Sequence, residues 1–204
     1  MSNYGSWVDV ANSSLTIVGA PLIGGFPPVD TTPNARTLFA NYALSRDAVL
    51  EMAPWKSVTQ RAVLASSSVT PLFNYSFYYP VPSDFVRLVA IYPLDTSYKV
   101  EGRNIACSNS TCNIRYVANS LPVSAYTNLL LEAIAAHLAW KVCFKLTQNA
   151  SLKGELWRDF ETALEQARAV DGKQQSVEQM DATYFLDSRL AGTVYGTPFN
   201  PSEE

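Results

Sequence analysis

Residues 124–146 read SAYTNLLLEAIAAHLAWKVCFKL. Leu130, Ile134, Leu138 and Val142 recur there at four-residue steps, and Leu129, Ala133, Ala136, Trp140 and Phe144 form an adjacent row. Two apolar flanks at helical spacing predict a helix at the centre of a bundle rather than on its rim. Glu132, His137 and Lys141 interrupt the stretch and make it too polar for a membrane span.

Working outward, Asn149-Ala150-Ser151 reads as a turn into a second helix over 152–170. Its apolar face is Leu156, Phe160, Ala163, Leu164, Ala167 and Val170. Upstream, Trp7, Val10, Ala11, Ser14, Leu15 and Val18 share one face of a short helix that Gly19 can end in a left-handed conformation. Thr32-Pro33 opens another, because Thr offers a capping oxygen and Pro sits where its missing N–H costs nothing. Its apolar period runs through Leu38, Tyr42, Val49 and Leu50 to about Met52, and Ala53-Pro54-Trp55 breaks it.

Between these helical parts the period changes to two. Val58, Gln60, Ala62 and Leu64 alternate with Thr59, Arg61 and Val63. Strand patterns follow at 74–79, 86–92, 98–102, 105–107 and 113–117, divided by turns at 80–84 and at Gly102. They predict a small antiparallel meander. The resulting fold class is α+β: a helical bundle from residues 1–54 and 119–170, a β insertion at 55–118, and an extended C-terminal tail at 171–204.

That tail begins polar and Gln-rich, then presents Tyr184, Phe185, Arg189, Tyr195 and Phe199 in a stretch studded with Gly and Pro. It is either a docking arm, folding onto a partner with apolar anchors, or a segment that packs back on its own domain. Composition points toward partners. The chain has 204 residues, and only 16% of them are charged, against a usual share of about 25%. Eleven are Tyr, an interface residue as well as a core one. A net charge of −3 lacks the basic stripe of a dedicated nucleic-acid binder. No basic and apolar leader opens the chain, so a cytoplasmic site of synthesis is expected. Three cysteines are no disulfide framework there. Cys107 and Cys112 are expected as free thiols, with a bridge across the intervening turn as the alternative.

Chemistry is hard to find. His137 is the only histidine and shares a four-residue stripe with Lys141 and Lys145, so a solvated or interface position is expected. No metal-ligand spacing and no phosphate-binding glycine loop occurs. Glu101 and Asp84 have no evident second carboxylate, and Glu101 is expected to fix a turn or to pair with Arg103 or Arg115. The reading is therefore of a protein without enzymatic activity, cofactor or metal.

Four words of sequence are familiar. Tyr42…Arg46-Asp47-Ala48-Val49-Leu50…Pro54-Trp55 resembles the "Y…RDxVL…PW" segment of podovirus tail tubular protein A. Tyr78-Tyr79-Pro80-Val81-Pro82-Ser83-Asp84-Phe85-Val86-Arg87 resembles that family's "Y-x-LPxDxxR" turn. Tyr98-Lys99-Val100-Glu101-Gly102-Arg103-Asn104-Ile105 is similar to its "Y-x-V-E-G-R-x-I" hairpin, and Ile114-Arg115-Tyr116-Val117 to the answering strand. The resemblance spans about residues 36 to 170. The Cys107–Cys112 loop and the Gly/Pro-rich 19–28 segment depart from it.

The resemblance implies a head-to-tail adaptor of a short-tailed bacteriophage. Such a protein would assemble as a ring, dodecameric by resemblance, between the portal protein and the tail nozzle protein. The helical part would face the portal and the β part the nozzle, and the tail with Tyr184, Phe185, Arg189, Tyr195 and Phe199 would reach into the portal. Double-stranded DNA would pass through the channel without sequence-specific contacts, held after packaging and released at ejection. The protein would reside in the virion after assembly in the host cytoplasm, with no membrane insertion. The alternatives from the residues are a virion-associated cell-wall hydrolase and a small cytoplasmic binding protein.

Overall fold

The computed structural model describes residues 4–94 and 96–174. The chain divides after Gly172, and its described helices and strands all belong to the unit that ends there. The five tail residues from Tyr184 to Phe199 lie outside the described residues.

Helix α1 spans Trp7–Val18. Ser6 and Asp9 form both halves of a capping box at its start, which satisfies two otherwise orphaned N–H groups. Gly19 ends it at φ 74°, donating back to Leu15 and Thr16. Helix α2 spans Pro33–Glu51, and Thr32 Oγ1 accepts from the Ala35 N–H as its cap. Helix α3 runs Asn128–Thr147 with Thr127 as cap. The expected helix began four residues earlier; instead a short 3-10 turn, Val123–Ala125, precedes α3. Helix α4 covers Ala150–Gly172. Val170 was expected on its buried face but is exposed.

Helix α3 is central as expected: α1, α2 and α4 all pack on it. Leu130, Leu131, Ile134, Leu138 and Val142 are buried. Phe144 is the exception, half its surface lying open.

Six strands occupy the insertion: β1 Thr59–Leu64, β2 Phe77–Pro80, β3 Phe85–Tyr92, β4 Tyr98–Glu101, β5 Asn104–Cys107 and β6 Cys112–Ala118. They do not form the expected single meander. One antiparallel sheet has the order β1-β6-β3 and a second has β2-β5-β4. The Ser108–Thr111 link therefore carries the chain from one sheet to the other rather than closing a hairpin. The reason is burial. Tyr79, Val81, Ile105 and Cys107 from one sheet and Ile91, Cys112, Ile114, Tyr116 and Ala118 from the other form one apolar cluster. Pairing β5 with β6 in one sheet would leave both of those faces without a partner layer.

The opposite face of the first sheet meets the bundle. Val86, Val89 and Val117 share a core with Val49, Leu50, Trp55, Val58, Leu130 and Phe160. Trp55 is fully buried, and its Nε1 donates to the Val49 carbonyl at 3.0 Å. Replacing Trp55 by Ala removes the largest side chain at this junction and one of the two hydrogen bonds to that carbonyl, the Met52 N–H at 3.2 Å being the other. We expect a loss of about 3–5 kcal/mol of stability. Urea unfolding of Trp55→Ala should show the midpoint fall with the transition still cooperative; an unchanged midpoint would refute the junction.

Candidate functional site

The four sequence words are separated along the chain but bonded to one another in the fold. Arg87 Nη1, from the second word, donates to the Glu51 carbonyl within the first at 2.9 Å. Asp84 accepts from Tyr116 of the fourth word at 3.1 Å and from Ser120 at 2.6 Å. Arg103 of the third word donates to the Pro82 carbonyl, and Val81 donates back to the Arg103 carbonyl at 3.0 Å. Asp47 accepts from Asn119 at 3.1 Å and pairs with Arg46, whose guanidinium stacks over Trp7.

The Tyr98–Arg103 motif forms the β4–β5 hairpin. Gly102 takes φ 59° and is followed by a residue of ordinary φ, the pattern of a type II′ turn that matches the twist of paired strands. Tyr98 and Val100 are exposed on the edge strand. Glu101 does not pair with Arg103 or Arg115 as expected. Its carboxylate accepts from Tyr78 at 3.0 Å and pairs with Lys99 at 3.5 Å. The Tyr78 bond raises the phenol's pKa above its ordinary value, since an ionised phenolate beside a carboxylate is disfavoured. Arg103 reaches a carbonyl of the 80–84 turn because the two-residue turn carries it away from Glu101.

A cavity of about 380 Å³ lies beside this hairpin, lined by Pro71, Leu72, Phe73, Tyr75, Tyr78, Lys99 and Glu101. The loop above it holds two large apolar side chains out to solvent, Leu72 at 96% exposure and Phe73 at 75%. One carboxylate with a lysine partner provides no nucleophile with its base and no second acid for glycoside cleavage. The arrangement suits docking. A sequence signal existed in Val69, Leu72 and Phe73, but they sat in a stretch divided between a polar loop and a strand.

His137 departs from expectation. It is 5% exposed, packed between Trp140 and Phe160 with ring centroids at 5.4 and 4.9 Å. Its stripe winds round the helix, because a four-residue step overshoots a turn of about 3.6, and α4 covers only the His137 end. Lys145 stays exposed. Nδ1 has no hydrogen-bond partner among the described residues. Burial, helped by the nearby Lys141 charge, lowers the imidazole pKa to about 4. Among the described residues no group of three His, Cys, Asp or Glu side chains could hold a metal ion, and no helix is long and apolar enough to cross a membrane. Cys107, Cys112 and Cys143 are free and buried. Burial, with Cys107 beside it, pushes the Cys112 thiol up to about 12.

No protein-family model matches this chain, and no curated protein matches it.

Two measurements test this geometry. His137 is neutral in the fold and binds a proton more readily when unfolded, so folding stability is complete above its unfolded pKa of 6.5. It declines as pH falls from there toward about 4. We expect a loss of up to about 3 kcal/mol across that window, measured by urea unfolding. His137→Leu should flatten the dependence; an equal slope in that variant would refute the buried neutral imidazole. For the cysteines, a chromogenic disulfide reagent should label none of the three quickly in the native chain and all three in urea. Rapid native labelling would contradict their burial.

Proposed function

We propose that this protein is a structural virion component, a ring-forming head-to-tail adaptor of a short-tailed bacteriophage that joins the portal to the tail nozzle. The observation that carries the reading is that the second word of the resemblance, at residues 78–87, is hydrogen-bonded to each of the other three, at 42–55, 98–105 and 114–117.

Two surfaces fit an assembly role. The helical part exposes Leu22, Val29, Phe39 and Leu44, and the β part exposes Val63, Val69, Leu72 and Phe73. The apolar core is complete without either set. A subunit of a closed ring between two different neighbours needs unlike contact faces on one chain. In this reading the helices and the C-terminal tail engage the portal, and the β part with its Tyr98–Arg103 hairpin meets the nozzle. DNA passes through the ring's channel without base recognition. The protein's work is geometric, holding the genome after packaging and conducting it at ejection.

The test is binding to the portal ring of the same virion, read by analytical ultracentrifugation and electron cryo-microscopy. The full chain is compared with one ending at Gln174, which leaves Asp171 and its bonds to Lys56 in place. The full chain should add a ring to the portal, and the shortened chain should bind far more weakly. An intact chain that ignores the portal refutes the adaptor reading.

A further inference from the structure

On the helix-facing side of the first sheet, beyond the reach of the bundle, β1 and β6 place Arg61 directly opposite Arg115. Like charges in directly opposed positions destabilise a strand pair. Nothing among the described residues relieves them. Neither arginine has a described carboxylate within ion-pair distance, and Arg115 Nε is buried with no hydrogen-bond partner. Beside Arg61 lies a cavity of about 320 Å³ whose lining includes Val63, Tyr92 and Asn113. Val63 is 82% exposed there.

The outer surface of α4 carries like-charged neighbours of the other sign, with exposed Arg158 between the two acidic pairs and Arg168 beyond them, donating to the Met52 carbonyl. Glu155 and Asp159 stand four residues apart, as do Glu161 and Glu165, and all four are exposed. Like charges at that spacing destabilise a helix. None of the four forms an ion pair among the described residues. The spacings correspond. Opposed residues on paired strands hold their Cβ atoms about 5 Å apart, and four-residue neighbours on a helix about 5–6 Å. Two guanidiniums across the strands can each take one carboxylate of a helical pair.

We infer that the Arg61–Arg115 pair of one copy receives one of the two carboxylate pairs on the outer surface of α4 from a second copy. The inference rests on the adaptor reading and names the contact that closes its ring. Two unlike faces of one chain make a head-to-tail contact, which closes into a ring when the rotation permits. A protein occupant is favoured over a nucleic-acid backbone by the setting. The arginines lie with an exposed valine and a tyrosine, no lysine occurs in β1, β3 or β6, and the chain is net negative. Arg and Tyr beside apolar surface, with Lys scarce, is the composition of a protein interface core.

The experiment is charge reversal in the full chain, with self-association followed by sedimentation alone and with the portal ring added. Arg61→Glu should weaken association roughly tenfold to hundredfold, because it sets like charges against each other at the contact. Glu161→Arg with Glu165→Arg, and separately Glu155→Arg with Asp159→Arg, are then placed in the Arg61→Glu chain. Restoration by either pair supports the contact; restoration by neither overturns it. Arg61→Gln, which keeps the site neutral, should weaken association less than Arg61→Glu, and circular dichroism checks that each variant folds. A wild-type chain that associates under neither condition overturns the adaptor reading and this contact together. Rings that form equally well from Arg61→Glu chains overturn this contact alone. Loss of duplex-DNA retention in Arg61→Glu with association unchanged overturns it in favour of a phosphate-backbone site.

Discussion

Helix α2 ends at the joint between bundle and sheet, where the carbonyls of its last turn run out of following N–H groups. Val49 lies fully buried there, its carbonyl taking the Met52 N–H at 3.2 Å, and side chains from elsewhere complete the end. Three side chains from three places meet it. Trp55 Nε1 takes Val49, Arg87 of β3 takes Glu51, and Arg168 of α4 takes Met52. Two of these are guanidiniums at a helix C-terminus, where the backbone dipole favours positive charge. The constraint fixes more than the helix. Because the donors come from the chain break, the sheet and the last helix, satisfying one terminus sets the position of all three.

A second joint works by the same logic. Asp171, near the end of α4, accepts from the Lys56 N–H with both carboxylate oxygens, and Lys56 Nζ returns to the Asp171 and Gly172 carbonyls. Residues more than a hundred positions apart thus clamp the entry to β1 against the exit of the bundle. The β insertion is held at its first residue and at Arg87, and its sheet shares the helical core through Val86, Val89 and Val117. Insertion and bundle consequently form one body up to Gly172.

Local chemistry was legible in the sequence, and long-range chemistry was not. The bounds of α1 and α2 follow from Gly19, Thr32 and Pro33 because a cap acts within one turn of its own helix. Alternation announced each strand, yet it says nothing about which strand lies beside which. That choice belongs to the apolar faces that must be covered, and it separated β5 from β6. Likewise His137 was placed by its own helix, whereas its burial depends on Phe160 arriving from α4. Arg168 and Asp171 gave no signal, and Arg87 only as a letter of the second word, since a side chain that bonds a distant backbone group leaves no pattern in either segment. For the candidate site, the Gly102 turn was readable but the partners of Glu101 were not. The tail residues fall outside the described part of the chain.

The destinations of the cations explain the surface. Arg87, Arg103, Arg168 and Lys56 all donate to backbone carbonyls, and among the described residues only Arg46 and Lys99 lie in side-chain ion pairs. Four cations are thus turned inward to the backbone, and the four exposed carboxylates of α4 have no ion-pair partner among the described residues. Arg61 and Arg115 are the exception among the sheet arginines, set against each other rather than toward a carbonyl. The proposed contact would set these opposed arginines against like-charged carboxylates on the α4 of a second chain.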